Sequence, residues 1–169
     1  FFELTFSVRL PFQMSYDTPR TLGKDRISNA AALVSFCNNK PKLCVDIGTC
    51  IKFDFVDQNN VYYGGSISPG LRLRLAALNQ KTANLPDLDF VKPSSFIGND
   101  TNQSILSGVY FGMLNEIEGM IDLYLAKYPE MNIIVESHTD IKSLEFFPAK
   151  IDGKPVVVRY QLPISFVKI

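Results

Sequence analysis

The sequence predicts an α/β fold, because segments with the spacing of strands alternate with segments with the spacing of helices. Three short apolar segments, at 43–47, 51–56 and 61–67, are separated by turn-forming residues and predict an antiparallel meander. Apolar residues then recur every three or four positions from Thr101 to about Lys127, which predicts one long helix. The chain has 169 residues, of which 46% are hydrophobic, so it can bury one ordinary core.

The composition excludes recognition by overall charge. Lys and Arg together number 17, and Asp and Glu also number 17, so no global field favours a nucleic acid or an anionic membrane. No apolar run approaches the roughly 20 residues that a membrane span requires. The cysteines, Cys37, Cys44 and Cys50, lie in apolar stretches without metal-ligand spacing. We therefore expect reduced core cysteines, a cytoplasmic protein and a ligand recognised at a local site.

The first elements are a strand and a helix. Apolar and polar residues alternate over 2–10, which predicts a half-buried strand. After a loop rich in turn formers, small and apolar residues over 27–36 predict a helix with Asp25 in its first turn, where a carboxylate suits the helix dipole. The residues alone leave open whether Asp25 is only a helix-start acid and Arg26 only a surface charge.

Segment 45–54 carries the clearest local signal for ligand chemistry. An apolar strand reaches Asp46, and a turn over Gly48 and Thr49 leads into the next strand. Such a turn can present backbone N–H groups and a hydroxyl to a phosphate while the carboxylate faces a cation. The same pattern occurs in ordinary hairpin turns, so both interpretations stay open at this point.

Gly64 and Gly65 within the third segment, and Gly70 after it, interrupt the chain before a helical period resumes over 71–78. These glycines either let the backbone approach a ligand or serve as plain turn residues. Residues 82–95 read as a loop.

The long helix begins with the spacing of a capping box, because Gln103 follows Asp100 by three residues. Gly108 and Gly112 lie inside the helix, where each glycine costs up to about 1 kcal/mol relative to alanine. Their spacing puts them on one helix face. We therefore expect another element to pack closely there, most simply a partner helix from a second subunit.

The remainder of the chain reads as extended structure. Residues 132–136 predict a strand, and 146–151 with 155–162 predict a hairpin around an Asp-Gly turn. His138 is the sole histidine and has no neighbouring cluster of ligands. We expect a surface or hydrogen-bonded role for it rather than metal binding.

Five blocks of the sequence, in their order and spacing, closely resemble bacterial type III pantothenate kinase. The blocks are Tyr16-Asp17-Thr18-Pro19 with Thr21-Leu22-Gly23-Lys24-Asp25-Arg26, Val45-Asp46-Ile47-Gly48-Thr49 with Asp54, Gly64-Gly65-Ser66-Ile67-Ser68-Pro69-Gly70, Thr82-Ala83-Asn84-Leu85-Pro86, and Gly98-Asn99-Asp100-Thr101 with Ser104, Gly108 and Gly112. They assign 16–136 to a kinase core lobe. Residues 1–15 would be a strand and lead-in left from a first lobe, and 137–169 a divergent β-rich tail.

The resemblance implies an actin-like, ribonuclease H-like kinase fold, mainly its second lobe, with a mixed sheet and a long dimerisation helix. It further implies ATP-dependent phosphorylation of pantothenate to 4'-phosphopantothenate, the first step of coenzyme A biosynthesis. Expected cofactors are Mg²⁺ with ATP and a monovalent cation, K⁺ or NH₄⁺. The expected state is a cytoplasmic homodimer with its pantothenate pocket near the interface, without nucleic-acid or membrane partners.

The resemblance also implies roles for individual residues. Asp25 matches the family's proton acceptor, which would take the proton from the primary hydroxyl of pantothenate. Asp46 matches the ligand of the monovalent cation, and Thr49 matches the residue that contacts ATP. The residues at pantothenate-binding positions are Tyr16, Gly23, Lys24, Asp25, Arg26 and Thr101.

Two departures from the family pattern support an alternative. No segment matches the family's phosphate loop, Asp-x-Gly-Asn-Thr-x-x-Lys, and Ser137-His138-Thr139-Asp140 stands where the family has a Thr-Gly-Gly run. The alternative is a non-catalytic paralogue or regulatory protein of the same fold. A third hypothesis is a structural domain that uses only the long helix as a dimer face.

Overall fold

A five-stranded sheet with helices on both faces forms the centre of the computed structural model. The structure describes residues 8–36 and 39–137, together with the backbone of 150–151 and 154–155. The strands of the sheet are β1 (Gln13–Met14), β2 (Lys42–Ile47), β3 (Cys50–Val56), β4 (Val61–Pro69) and β5 (Asn132–Ser137). The helices are a short 3-10 turn (Pro19–Thr21), α1 (Lys24–Phe36), α2 (Leu71–Lys81) and α3 (Thr101–Lys127). This architecture confirms the predicted α/β class.

The sheet is mixed, in the order β1-β4-β3-β2-β5. Strands β2, β3 and β4 pair antiparallel as the predicted meander. Strand β5 returns after the long helix to pair in parallel with β2, and β1 pairs in parallel with β4. Strand β2 therefore lies between β3 and β5, and all six of its residues are buried.

Alternate residues of β2 serve two different cores. Leu43 and Val45 belong to the larger cluster, which contains the buried side chains of α2 and α3. Cys44 belongs to the smaller cluster, which contains the buried side chains of α1. Because successive strand side chains point to opposite faces, the face toward α2 and α3 is apolar, whereas the face toward α1 carries Lys42, Cys44 and Asp46.

Helix α3 begins and ends where the sequence predicts. The Asp100 carboxylate accepts a hydrogen bond from the backbone N–H of Gln103 at 2.8 Å, which satisfies one of the free donors of the first turn. Buried residues recur along one face, from Ile105 through Met113 to Ile121. They pack against the sheet and α2.

Removing this cap gives a first test of the helix start. We expect Asp100→Ala to lower the free energy of unfolding by about 1 kcal/mol, since the N–H of Gln103 loses its side-chain acceptor. Asp100→Asn should cost less, because asparagine caps almost as well. Urea denaturation monitored by circular dichroism measures both. Equal losses for the two variants would show that the cap contributes nothing.

The prediction of a strand over 2–10 is wrong for the part that the structure describes. Residues 1–7 lie outside the described residues, and Val8 to Leu10 are not in a strand. The edge strand β1 follows instead, tied to β4 through Gln13 N–H to Asn60 O and Ser15 N–H to Tyr62 O, both at 2.9 Å. Two residues are too few to show a period of two, so the sequence could not reveal this strand.

Gly64 and Gly65 lie inside β4, within the strand that the sequence predicts over 61–67, and they do not end it. The pairing with β3 shifts register beside Phe55, so a β-bulge is built into the strand here. A Cβ on Gly65, whose φ is +156°, would come within 1.8 Å of the Phe53 carbonyl oxygen. The pair of glycines therefore permits a close approach of two strands.

The close packing predicted at Gly108 and Gly112 is not supplied by the described part of the chain. A Cβ built on either residue meets no described atom within 4 Å, and both residues are exposed. A partner helix on this face remains a prediction.

The tail is described only at one short ladder, where Lys150–Ile151 pairs antiparallel with Lys154–Pro155. This pairing is antiparallel, as the predicted hairpin requires of the residues on either side of its turn. The rest of that hairpin, residues 165–169 and His138 lie outside the described residues.

Two of the cysteines are described and both are free: Cys44 is buried and Cys50 is partly buried. Cys37 lies outside the described residues. None of the helices in the described ranges combines the length and the apolar character needed to cross a membrane.

Candidate active site

The sheet face that packs against α1 carries an unusual concentration of buried charge. The buried charged residues of the described chain are Arg26, Lys42, Asp46, Asp54 and Glu136. Burying an unpaired ion costs several kcal/mol, so such groups need partners of opposite charge or hydrogen-bond partners. Three of these side chains, Arg26, Asp46 and Asp54, form two connected groups with their neighbours.

The first group links three side chains through one ammonium ion. Lys52 Nζ lies 2.5 Å from Asp25 Oδ2 and 2.8 Å from Asp46 Oδ2. The exposed fractions of the side chains are 5% for Asp46, 15% for Lys52 and 56% for Asp25. The ammonium thus connects a buried carboxylate to one that solvent and a substrate can reach.

The backbone explains why these three residues meet. The tight turn between β2 and β3 pairs Asp46 directly with Lys52 across the two strands. Side chains opposite each other in an antiparallel pair lie close together on the same face. Helix α1 covers this face, and Asp25 in its first turn reaches the same ammonium.

The electrostatics of this group keep Asp25 and Lys52 charged. Burial alone would raise the pKa of Asp25, but the hydrogen bond and charge of Lys52, with the backbone N–H of Arg26, lower it below the usual value. Burial alone would lower the pKa of Lys52, but its contacts with Asp25 and Asp46 raise it above the usual value. The Asp25 carboxylate is therefore ionised at neutral pH and can accept a proton.

Asp46 has one engaged oxygen and one without a partner. Oδ2 accepts from Lys52 and, at 3.3 Å, from Asn29 Nδ2. Oδ1 is buried and makes no hydrogen bond within the structure. The described residues contain no group of three or more His, Cys, Asp or Glu side chains that could hold a metal ion.

A free monovalent cation fits poorly beside this carboxylate. The Lys52 ammonium already lies at hydrogen-bond distance from Oδ2. Two unit positive charges about 4 Å apart repel by about 4 kcal/mol at an effective dielectric constant of about 20. An ion on either oxygen of Asp46 would therefore have to compete with a charge that the chain itself supplies.

The second group is the buried ion pair of Arg26 and Asp54. Arg26 Nε donates to Asp54 Oδ1 at 2.7 Å, and Tyr62 Oη donates to the same oxygen at 2.8 Å. Asn29 Nδ2 donates to Asp54 Oδ2 at 3.2 Å and so joins the two groups. Burial alone would lower the pKa of Arg26, but the Asp54 carboxylate raises it. Burial raises the pKa of Asp54, although these three donors favour its charged form.

The turn after β2 is held against the start of α2. The Gly70 N–H donates to the Thr49 carbonyl oxygen at 2.9 Å. A Cβ on Gly70 would lie 2.1 Å from the carbonyl oxygen of Gly48, so only glycine permits this approach. Thr49 itself is exposed at the tip of the turn.

The segment before α1 is shaped around Asp25. A Cβ on Gly23 would lie 2.4 Å from Asp25 Oδ1, and that oxygen accepts the Arg26 N–H at 2.9 Å. The Tyr16 ring packs against Gly64, and the guanidinium carbon of Arg26 lies 5.9 Å from the centre of that ring. Glycine at position 23 thus lets the Asp25 carboxylate fold back over the chain.

The structure brings together most of the residues that the sequence singles out, but Thr101 lies elsewhere. Asp25, Arg26 and Asp46 belong to the two charged groups, while Tyr16 and Gly23 border them. Lys24 is the exposed first residue of α1. Thr101 begins α3 and lines a cavity of about 880 Å³ between α2 and α3. Neither Asp25 nor Asp46 lines that cavity.

Sequence reasoning missed Lys52, Asn29 and Tyr62. The sequence does contain a signal for Lys52, because a tight turn at 48–49 places position 52 opposite position 46. Asn29 and Tyr62 had none, since their contacts with Asp54 depend on which sheet face α1 covers.

A mixed sheet covered by helices, with a glycine turn beside buried charged side chains, places the chain in the α/β class. Comparison with known proteins narrows this class. A family model described as type III pantothenate kinase matches residues 4–123, which is more than half of the chain. The chain belongs to this family, and the resemblance read from the sequence is confirmed.

Individual relatives agree with the family model. The chain is 48% identical over 125 residues to a type III pantothenate kinase of Flavobacterium psychrophilum, covering 74% of this chain and 52% of the relative. It is 46% identical over 125 residues to that of Flavobacterium johnsoniae, covering 74% and 51%. The chain thus spans about half the length of these curated relatives.

Among solved structures, one described as a conserved putative Baf family transcriptional activator from Campylobacter jejuni matches with a TM-score of 0.46 and 20% identity. The match covers 75% of this chain and 53% of that chain.

Proposed function

We propose that this chain is the catalytic lobe of a kinase that transfers the γ-phosphoryl group of ATP to the primary hydroxyl of pantothenate. The product is 4'-phosphopantothenate, and the reaction begins coenzyme A biosynthesis. The observation that carries the proposal is the Asp25 carboxylate, which is 56% exposed at the edge of an otherwise buried charged group. Membership of the pantothenate kinase family supports the choice of substrate.

Asp25 would act as the general base. Its carboxylate accepts the hydroxyl proton while the hydroxyl oxygen forms a bond to the γ-phosphorus and the bond to the bridging oxygen of ADP breaks. The lowered pKa of Asp25 keeps it ionised before the reaction. Phosphoryl transfer depends mainly on positioning and charge stabilisation, and a positioned base typically contributes ~10²–10⁴-fold in rate.

The remaining predicted residues would bind the two substrates. Thr49, exposed on a turn pinned by Gly70, would contact ATP through its hydroxyl and backbone N–H. ATP brings Mg²⁺, which supplies neutralising charge at the phosphate oxygens. Asp46 would hold positive charge near the phosphates, at the position that matches the family's ligand of a monovalent cation. The residues proposed to line the pantothenate pocket are Tyr16, Gly23, Lys24, Arg26 and Thr101.

Arg26 and Thr101 would enter this site in different ways. Arg26 is 4% exposed and bonded to Asp54, so it would shape the pocket wall rather than reach far into it. Thr101 lies in the α2–α3 cavity and would need a second copy of the chain to approach Asp25. We propose a homodimer through the exposed face of α3 that carries Gly108 and Gly112, which leaves the pantothenate pocket near the interface.

The test is a direct assay with the full-length protein, pantothenate and Mg²⁺–ATP. Formation of 4'-phosphopantothenate, detected by mass spectrometry together with stoichiometric ADP, is the expected result. An intact, folded protein that binds pantothenate in calorimetry without turning it over would overturn the enzymatic proposal in favour of a non-catalytic relative.

A further inference from the structure

We infer that Lys52 is a built-in monovalent cation, whose ammonium takes the place at Asp46 that a free K⁺ or NH₄⁺ ion would occupy. Its catalytic consequence, a kinase that needs no added monovalent cation, rests on the proposed function. Its ion-binding consequence, that Asp46 does not bind such an ion while Lys52 is present, stands without it.

The geometry of the ammonium carries this inference. A lysine side chain ends in an alkylammonium ion with three N–H donors. Two of its contacts go to the carboxylates of Asp25 and Asp46, at 2.5 and 2.8 Å. With 15% of its side chain exposed, Lys52 is held inside the protein rather than extended into solvent.

Lys52 is the positive charge that the described side chains place against Asp46. The neighbouring guanidinium of Arg26 is bonded to Asp54, and Asn29, which contacts both Asp46 and Asp54, is neutral. Glu136 on β5 lies opposite Asp46 on β2, and its side chain makes an interaction of its own. Lys52 is thus the positive charge placed directly between the two carboxylates.

A tethered ammonium also has a physical advantage over a free ion. A free ion must leave water to reach the Asp46 side chain, which is 5% exposed, and that desolvation is costly. The Lys52 ammonium is desolvated when the protein folds, so its charge is in place before either substrate arrives. Since the same ammonium contacts Asp25, it also fixes the orientation of the proposed base.

The first experiment compares the full-length protein in KCl and in tetramethylammonium chloride, whose cation is larger than K⁺ and has no N–H donor. We expect the unmodified protein to phosphorylate pantothenate at the same rate in both salts. We expect Lys52→Ala to lose about 10²-fold in kcat in tetramethylammonium chloride and to recover about tenfold when KCl or NH₄Cl is supplied. Lys40→Ala is the matched control, because Lys40 forms an exposed ion pair with Glu130.

The second experiment measures ion binding without substrates. A ligand that binds only the folded state raises the unfolding midpoint. Replacing tetramethylammonium by K⁺ at constant ionic strength should leave the midpoint of the unmodified protein unchanged and raise that of Lys52→Ala. Lys52→Met, which keeps most of the aliphatic stem without the charge, serves the same comparison if the alanine variant folds poorly.

Two results would overturn the inference. One is a K⁺-specific rise in the midpoint, or in the rate, of the unmodified protein. The other is the absence of any K⁺-specific change in the midpoints of both Lys52 variants. If the unmodified protein does not phosphorylate pantothenate in either salt, the proposed function fails, while the midpoints still decide the role of Lys52.

Discussion

Asp25→Asn is expected to lower kcat for pantothenate phosphorylation by about 10²–10⁴-fold and to leave the fold intact. Asparagine has nearly the same shape, but its single carbonyl oxygen can accept from only one of the two donors, Lys52 and the Arg26 N–H, and it cannot take a proton. The Asp25 side chain is 56% exposed, so its charge contributes little to the core. Steady-state kinetics of the full-length protein, with circular dichroism as a check on folding, measure the effect.

The loss should appear in kcat rather than only in KM, because the proton is transferred during the chemical step. Asp87→Asn is a suitable control, since Asp87 is an exposed carboxylate in the loop after α2. It should behave as the unmodified protein does. Near-normal turnover by Asp25→Asn would refute the assignment of the base, and another group near the substrate hydroxyl would then have to take the proton.

The parts of the fold that the sequence predicts well are those held by local interactions. Helix α3 has a side-chain cap at Asp100 and an apolar face along its whole length, so both its type and its start follow from neighbouring residues. The β2–β3–β4 meander follows in the same way from short apolar segments and the turn at 57–60. In both cases, the residues that determine the structure lie within a few positions of one another.

The parts that could not be predicted depend on partners distant in sequence. Strand β1 exists because two residues find the edge of β4, nearly fifty positions away. The β-bulge beside Gly64 and Gly65 becomes apparent only when β3 is placed next to β4. Neither feature leaves a periodic signal in its own segment.

The candidate site also has one part that follows from local sequence and another that depends on partners distant in sequence. Asp46, Gly48 and Thr49 form a local motif, and the resemblance located Asp25 by its surrounding block. The ion pair of Arg26 and Asp54 joins residues 28 positions apart, and its existence depends on α1 covering that particular face of the sheet. The sequence therefore identified the chemical groups, while the structure identified the charges that hold them in place.

The ion pair of Arg26 and Asp54 leads to the largest expected effect on stability. Asp54→Ala should lower the free energy of unfolding by about 3–5 kcal/mol, because it leaves a buried guanidinium without its carboxylate. The side chains of Arg26 and Asp54 are 5% and 0% exposed, so water cannot replace the lost partner. The hydroxyl of Tyr62 also loses its acceptor. Urea denaturation of the full-length protein measures the change.

Two comparisons separate this effect from a general loss of contacts. Glu116→Ala breaks a more exposed ion pair, in which the side chains of Arg74 and Glu116 are 21% and 31% exposed, and it should cost about 1 kcal/mol or less. The double variant Arg26→Met with Asp54→Leu should recover part of the stability lost in Asp54→Ala, because it removes both charges and refills the space. A loss in Asp54→Ala no larger than in Glu116→Ala would show that the guanidinium finds water or another acceptor. Destabilisation of the double variant equal to that of Asp54→Ala would instead trace the loss to packing around Tyr62.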